Sequence, residues 1–94
     1  MDNISLIIPL YNEESRLIEN LKILRTFLLK KKNSEIIFIN DGSEDHSDKI
    51  IKNFISKIKK KNLIKYISYK KNVGKGYAIK QGVLRSKKKM DFTL

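Results

Sequence analysis

Ninety-four residues carry 21 Lys and Arg against 10 Asp and Glu, a formal net charge of +11, with 40% hydrophobic residues and no Cys. That length leaves room for one small domain and none for a second, and the lack of Cys excludes a disulfide framework, a thiolate metal site and a cysteine nucleophile. Only four Gly and one Pro accompany this apolar content, which excludes a disordered chain, and no apolar run approaches the roughly 20 residues that span a bilayer.

Ile4-Ser5-Leu6-Ile7-Ile8 is a short, nearly continuous apolar run, as in a strand buried on both faces, and Pro9 is expected to end it. From about Glu14 to Lys31, Leu17, Leu21, Leu24 and Leu28 recur at helical spacing, with Ile18 and Phe27 beside them. This predicts an amphipathic helix with Glu13 and Glu14 at its positive end and Lys30 to Lys32 at its negative end. Glu35 to Ile39 repeats the strand pattern, and Asn40-Asp41-Gly42-Ser43 is a turn sequence. A second helix is expected from His46 or Ser47 to Lys60, with Ile50, Ile51, Phe54, Ile55 and Ile58 as its core stripe. Leu63 to Tyr69 predicts a third strand, Asn72 to Gly76 a loop, Tyr77 to Ser86 a third helix, and Met90 to Leu94 the start of a fourth strand. Strict alternation of strand and helix predicts an α/β fold: a three-layer, mainly parallel sheet of βα units, ending at the start of strand four.

The positive charge lies in runs, Lys30 to Lys32, Lys59 to Lys61, Lys70-Lys71 and Lys87 to Lys89, and only Arg16, Arg25 and Arg85 are Arg. Such an excess suits diffuse attraction to phosphates better than bidentate recognition. Solvated helix ends are one reading and an anionic membrane surface or lipid phosphate is another. No aromatic interleaving or recognised motif marks a specific nucleic-acid binder. Met1-Asp2-Asn3 lacks the basic start of a signal peptide, so the expected location is cytoplasmic, with peripheral contact to a membrane left open.

Three loops follow the three strands. In Pro9-Leu10-Tyr11-Asn12-Glu13, Asn12 can cap the helix and the acids can favour its N-terminus, which leaves Tyr11 idle. Alternatively, Tyr11 sets an aromatic face beside a nucleobase and Glu13 reaches base or ribose donors. Asp41 can serve a plain turn, or accept from the ring N–H of uracil or guanine at the tip of its strand. Asp45 and Asp48 are expected as cap and first-turn residues, with Ser43 and Ser47 as alternative caps. Asn72-Val73-Gly74-Lys75-Gly76 offers flexible backbone and one ammonium at a helix start, which suits a turn or a phosphate cradle. It matches neither the phosphate-binding loop of nucleotide triphosphatases nor the full Rossmann fingerprint. His46 has no Cys or second His to share a metal and is expected at the surface.

The three motifs, Ile8 to Glu14, Ile39 to Asp45 and Asn72 to Ala78, in this order and spacing resemble the first half of a family 2 glycosyltransferase of the GT-A fold. The resemblance is to its polyprenyl-phosphate branch, near dolichyl-phosphate glucosyltransferases and mannose synthases. It implies that residues 1–94 are part of such a domain, the nucleotide-sugar-binding half. Pro9, Tyr11 and Glu13 would line the nucleotide pocket, Ile39 would lend backbone contact, Asp41 would bind the base, and Lys75 would face the diphosphate. Many members have two acids where this chain has Asn40-Asp41. The donor would be a UDP or GDP sugar and the acceptor a polyprenyl phosphate. The family's Mg²⁺ or Mn²⁺ would sit on an Asp-x-Asp motif beyond Leu94, so neither a catalytic residue nor a complete metal site is expected in this chain, and the chain alone is expected to be inactive. A non-catalytic nucleotide-binding module and a small basic nucleic-acid-binding protein are the competing readings.

Overall fold

A computed structural model describes residues 4–59 and 63–86, together with the backbone of 89–91. Seven elements alternate as expected: β1 (Ile4–Leu10), α1 (Glu14–Lys30), β2 (Glu35–Asp41), α2 (Ser47–Ser56), β3 (Ile64–Tyr69), α3 (Lys75–Arg85) and β4 (Lys89–Asp91). The strands form one parallel sheet in the order β3-β2-β1-β4.

Every residue of β2 is buried, as a central strand covered on both faces requires. Alternate side chains divide the core into two. Leu6, Ile8, Leu10, Ile36 and Phe38 pack with the leucine stripe of α1 and with Ile51 of α2. Ile7, Ile37 and Ile39 face the other way, against Ala78 of α3. The result is the three-layer α/β arrangement predicted from the alternation, with α1 and α2 on one face of the sheet and α3 on the other. Gly82 lets α3 sit close, since a Cβ there would lie 2.5 Å from Ile7 Cγ2 and 2.9 Å from Ile39 Cδ1.

Several boundaries differ from the sequence reading. β1 runs one residue past Pro9, in register with β2 to Leu10↔Asn40. Among the described residues the pairing of β1 with β4 ends earlier, at Leu6↔Asp91. α2 closes at Ser56, where Lys57 and Ile58 donate to Phe54 and Ile55 carbonyls three residues back, the tightening common at helix ends. α3 begins at Lys75, two residues early, because the Gly74 carbonyl already accepts from Ala78 N–H. The expected Lys60 end of α2 and the Phe92 to Leu94 part of β4 lie outside the described residues.

At the amino ends of the strands a buried carboxylate ties the sheet together. Glu35 Oε2 accepts from Ser5 Oγ at 2.5 Å, and Glu35 Oε1 pairs with Lys65 Nζ at 3.0 Å. Lys65 Nζ also donates to the Arg85 carbonyl at 2.6 Å, closing the end of α3. Among the described residues no helix is long and apolar enough to cross a membrane.

Candidate nucleotide cleft at the strand ends

The first two motif loops lie side by side and satisfy each other's helix termini. The N–H groups of Asn12, Glu13 and Glu14 donate to Ser43 Oγ (2.9 Å), Ser47 Oγ (3.2 Å) and Asp45 Oδ2 (3.1 Å). In return Asn12 Oδ1 accepts from Glu44 N–H at 2.8 Å and Asp45 N–H at 3.4 Å, and Glu14 Oε1 accepts from His46 N–H at 2.9 Å. Asn12 is therefore not the cap of its own helix. Glu13 occupies that position without a side-chain cap bond, and Asn12 instead takes the left-handed conformation (φ +49°), which Asn tolerates better than most residues. Asp45 does act at a helix start, through Oδ1 on Ser47 N–H (2.9 Å), but it also caps α1 from the neighbouring loop. His46 is exposed as expected, with its ring nitrogen Nδ1 3.2 Å from Glu14 Oε1.

The third loop is held by the second. Asp41 is only 3% exposed. Its Oδ1 accepts from Val73 N–H at 2.8 Å, and Oδ2 accepts from Gly74 N–H at 2.9 Å and Asn72 Nδ2 at 3.0 Å. Burial pushes this carboxyl upward, but the backbone bonds from Val73 and Gly74 and the Tyr69 hydroxyl outweigh it, and the net shift is downward. Tyr69 pays for this proximity: burial and the Asp41 charge push its phenol up, and its hydroxyl makes no hydrogen bond of normal geometry among the described residues. Gly42, at φ +70°, completes the contact. A Cβ there would fall 2.4 Å from Asn72 N and 2.5 Å from Lys71 C.

Asn40 has its own partners. Its Oδ1 accepts from Ser43 N–H at 3.1 Å, and its Nδ2 donates to Tyr66 Oη at 3.0 Å. The Tyr66 hydroxyl in turn donates to Asp48 Oδ1 at 2.5 Å, while Lys52 pairs with Asp48 Oδ2 at 3.1 Å. An amide accepts through its oxygen and donates through its nitrogen, so Asn suits this position where a carboxylate would leave Tyr66 Oη without a donor. The Tyr66 bond holds the Asp48 carboxyl below its ordinary range, while burial and Asp48 push Tyr66 up to about 12.

Between these loops and the start of α3 lies a cleft of about 290 Å³, which takes Pro9, Tyr11 and Glu13 from the first motif, Asp41 from the second and Lys75 from the third. Tyr11 is 42% exposed at its edge. Glu13 Oε1 accepts from Arg16 Nε at 3.0 Å and Nη2 at 2.5 Å, and its other oxygen has no protein partner among the described residues. A carboxylate offers about four acceptor positions; three on Asp41 are filled by the third loop, which leaves at most one for a ligand N–H. Ile39 does not line the cleft. It lies two residues inside β2, in register with Pro9 and Ile67, with its side chain wholly buried against α3. Leu10, Asn72, Gly74 and Ala78 line the cleft as well. All four lie within the first and third motifs, but the sequence singled none of them out as a site residue.

Among the described residues no three His, Asp or Glu side chains group to hold a metal ion. The acids that line the cleft are already engaged, Asp41 by the third loop and one oxygen of Glu13 by Arg16, so the described residues do not form a divalent-ion site.

The fold and cleft define a parallel α/β domain of the kind that takes ligands at the carboxyl ends of its strands. Within that class, residues 5–92 match the model of glycosyl transferase family 2, and the chain belongs to that family. It is 40% identical to a dolichyl-phosphate beta-glucosyltransferase of Dictyostelium discoideum over 95% of this chain and 29% of that protein. The mouse dolichyl-phosphate beta-glucosyltransferase is 31% identical over 89% of this chain and 28% of its own length. A poly-beta-1,6-N-acetyl-D-glucosamine synthase of Staphylococcus aureus is 32% identical over 88% and 19%. The chain thus spans less than a third of the length of these relatives.

Proposed function

We propose that this chain forms the donor-binding part of a glycosyltransferase that moves a sugar from a nucleotide diphosphate sugar, UDP-glucose-like or GDP-mannose-like, to a polyprenyl phosphate or related acceptor. The observation that carries the reading is the meeting of Pro9, Tyr11, Glu13, Asp41 and Lys75, contributed by three separate loops, around one cleft. Membership of family 2 and the names of the dolichyl-phosphate glucosyltransferases it resembles support the reaction class.

In this reading Tyr11 stacks on the base, and the free oxygen of Glu13 and the remaining acceptor position of Asp41 take ribose or base N–H and O–H donors. Lys75 and the opening turn of α3 face the diphosphate, where helix N–H groups and one ammonium offset its charge. Ile39 backs this pocket from within the core. Mg²⁺ or Mn²⁺ belongs to the proposal as the ion that would neutralise the leaving diphosphate, but no step is assigned to it on these residues. The proposed setting is the cytoplasmic side of a membrane that holds the acceptor.

Amide chemical shifts followed during titration with UDP and with GDP test the reading. Residues 9–13, 41 and 72–78 should shift together for at least one nucleotide, and Tyr11→Ala should weaken binding by roughly 1–3 kcal/mol, the worth of one aromatic stack on a base. Failure of both nucleotides to move these residues would remove the assignment.

A further inference from the structure

The face of the sheet covered by α1 and α2 carries a second concavity, separate from the strand-end cleft. One stretch, about 410 Å³, and another, about 300 Å³, share Arg25 and Lys57 and so form a single groove between the two helices. On α1 its wall is the stripe Ile18, Lys22, Arg25 and Leu29, spaced four, three and four residues apart and hence on one side of the helix. Phe54 of α2 and Lys57, just past its end, lie across from it.

Two properties of this groove point to the same occupant. Its apolar stripe is left in water at both ends, with Ile18 58% and Leu29 70% exposed, an arrangement that costs solvation free energy until something covers it. All the charged side chains that line it are cationic: Lys22, Arg25, Lys57 and Lys59, with no carboxylate among the described lining residues. Glu19 reaches one of them from the side, 3.5 Å from Lys22 Nζ, where an exposed pair contributes little. Long basic side chains with their stems on apolar surface and their heads in water fit a boundary between acyl chains and phosphate headgroups.

We infer that the α1–α2 groove is a docking face for an anionic lipid bilayer, with Ile18 and Leu29 entering the acyl boundary and Lys22, Arg25, Lys57 and Lys59 among the headgroups. A net charge of +11 alone would attract any anionic surface diffusely. Docking through this groove differs, because it depends on which cations are removed and buries particular apolar side chains. The inference does not rest on the nucleotide reading of the other cleft.

The test is co-sedimentation of the chain with phosphatidylcholine vesicles that contain or lack phosphatidylserine. Binding should require phosphatidylserine, and Arg25→Glu combined with Lys57→Glu should reduce partitioning by about tenfold or more, given about 1 kcal/mol per basic residue near such a surface. Lys70→Glu with Lys80→Glu makes the same change in net charge away from the groove and should have a clearly smaller effect. The chain contains no Trp, so Leu29→Trp supplies a second readout that removes no charge: its emission should shift to the blue on the anionic vesicles, while that of Lys80→Trp stays in place. Equal losses for the two double variants, or an unmoved Leu29→Trp emission, would overturn the inference. So would the same blue shift produced by self-association of the chain or by an acidic polypeptide without lipid, since the groove would then be a protein interface.

Discussion

The carboxylate of Asp41 and the backbone N–H of Gly74 meet at 2.9 Å across 33 residues of sequence, joining the end of β2 to the start of α3. With the bonds to Val73 and Asn72, this makes Asp41 the anchor of the third loop as well as a wall of the cleft. Whatever binds there meets a carboxylate already oriented by its own protein.

Asp41→Asn should therefore loosen a loop before it alters the fold. An amide keeps one acceptor oxygen and turns a donor toward either Val73 N–H or Gly74 N–H, leaving a part-buried donor unmatched at a cost of about 1 kcal/mol. Hydrogen exchange should show faster amides at Asn72 to Gly76, with those of α1 little changed, and urea unfolding should show the loss of stability.

Two glycines of the motifs should respond to alanine with opposite signs. Gly42→Ala places a Cβ 2.4 Å from a backbone nitrogen at φ +70°, so the β2 and β3 loops must separate, and a loss of about 2 kcal/mol or more is expected. Gly76 lies in α3 with nothing within 4 Å of its Cβ position, and Gly76→Ala should stabilise by about 0.4–1 kcal/mol through the unfolded chain and helix propensity. Thermal unfolding of the two variants beside the parent checks both.

Asn40→Asp should destabilise although it restores an acid before Asp41. Position 40 is 3% exposed, and the change removes the donor to Tyr66 and sets a second carboxylate near Asp41 and Asp48. A loss of about 1–3 kcal/mol is expected, and most of it should vanish when Tyr66→Phe is already present, which a double-mutant cycle measures.

Acid should weaken the fold through three Asp side chains. Asp48 is held below its ordinary range first by Tyr66, and in Asp41 and Asp45 burial is outweighed by hydrogen bonds to the charged form. With each folded pKa below the unfolded value of about 3.9, the unfolded state binds protons first. Their contribution is complete above that value and is lost as pH falls through each folded pKa. Urea midpoints should fall as pH drops below about 4, and Asp48→Asn should flatten part of that fall.

The order of elements, the buried strands, the leucine stripe of α1 and the places of the three motif loops were all legible in the chain, because each depends on local periodicity or on residues next to one another. The loops' meeting at strand ends followed from strand-helix alternation, and five of the six expected site residues line the same cleft. Tertiary structure alone decided the partners. Asn12 looked like a cap because nothing local shows that the N–H donors its side-chain oxygen takes lie 32 and 33 residues away in the second loop. The resemblance implied a backbone contact from Ile39, and strand alternation turns its side chain toward α3. The anchoring of the third loop by Asp41, the preference for an amide at position 40 and the joining of two helix faces into one basic, apolar groove depend on contacts between segments far apart in sequence. Hydrophobic pattern encodes which face of an element is buried, but not which polar atom on another element will satisfy it.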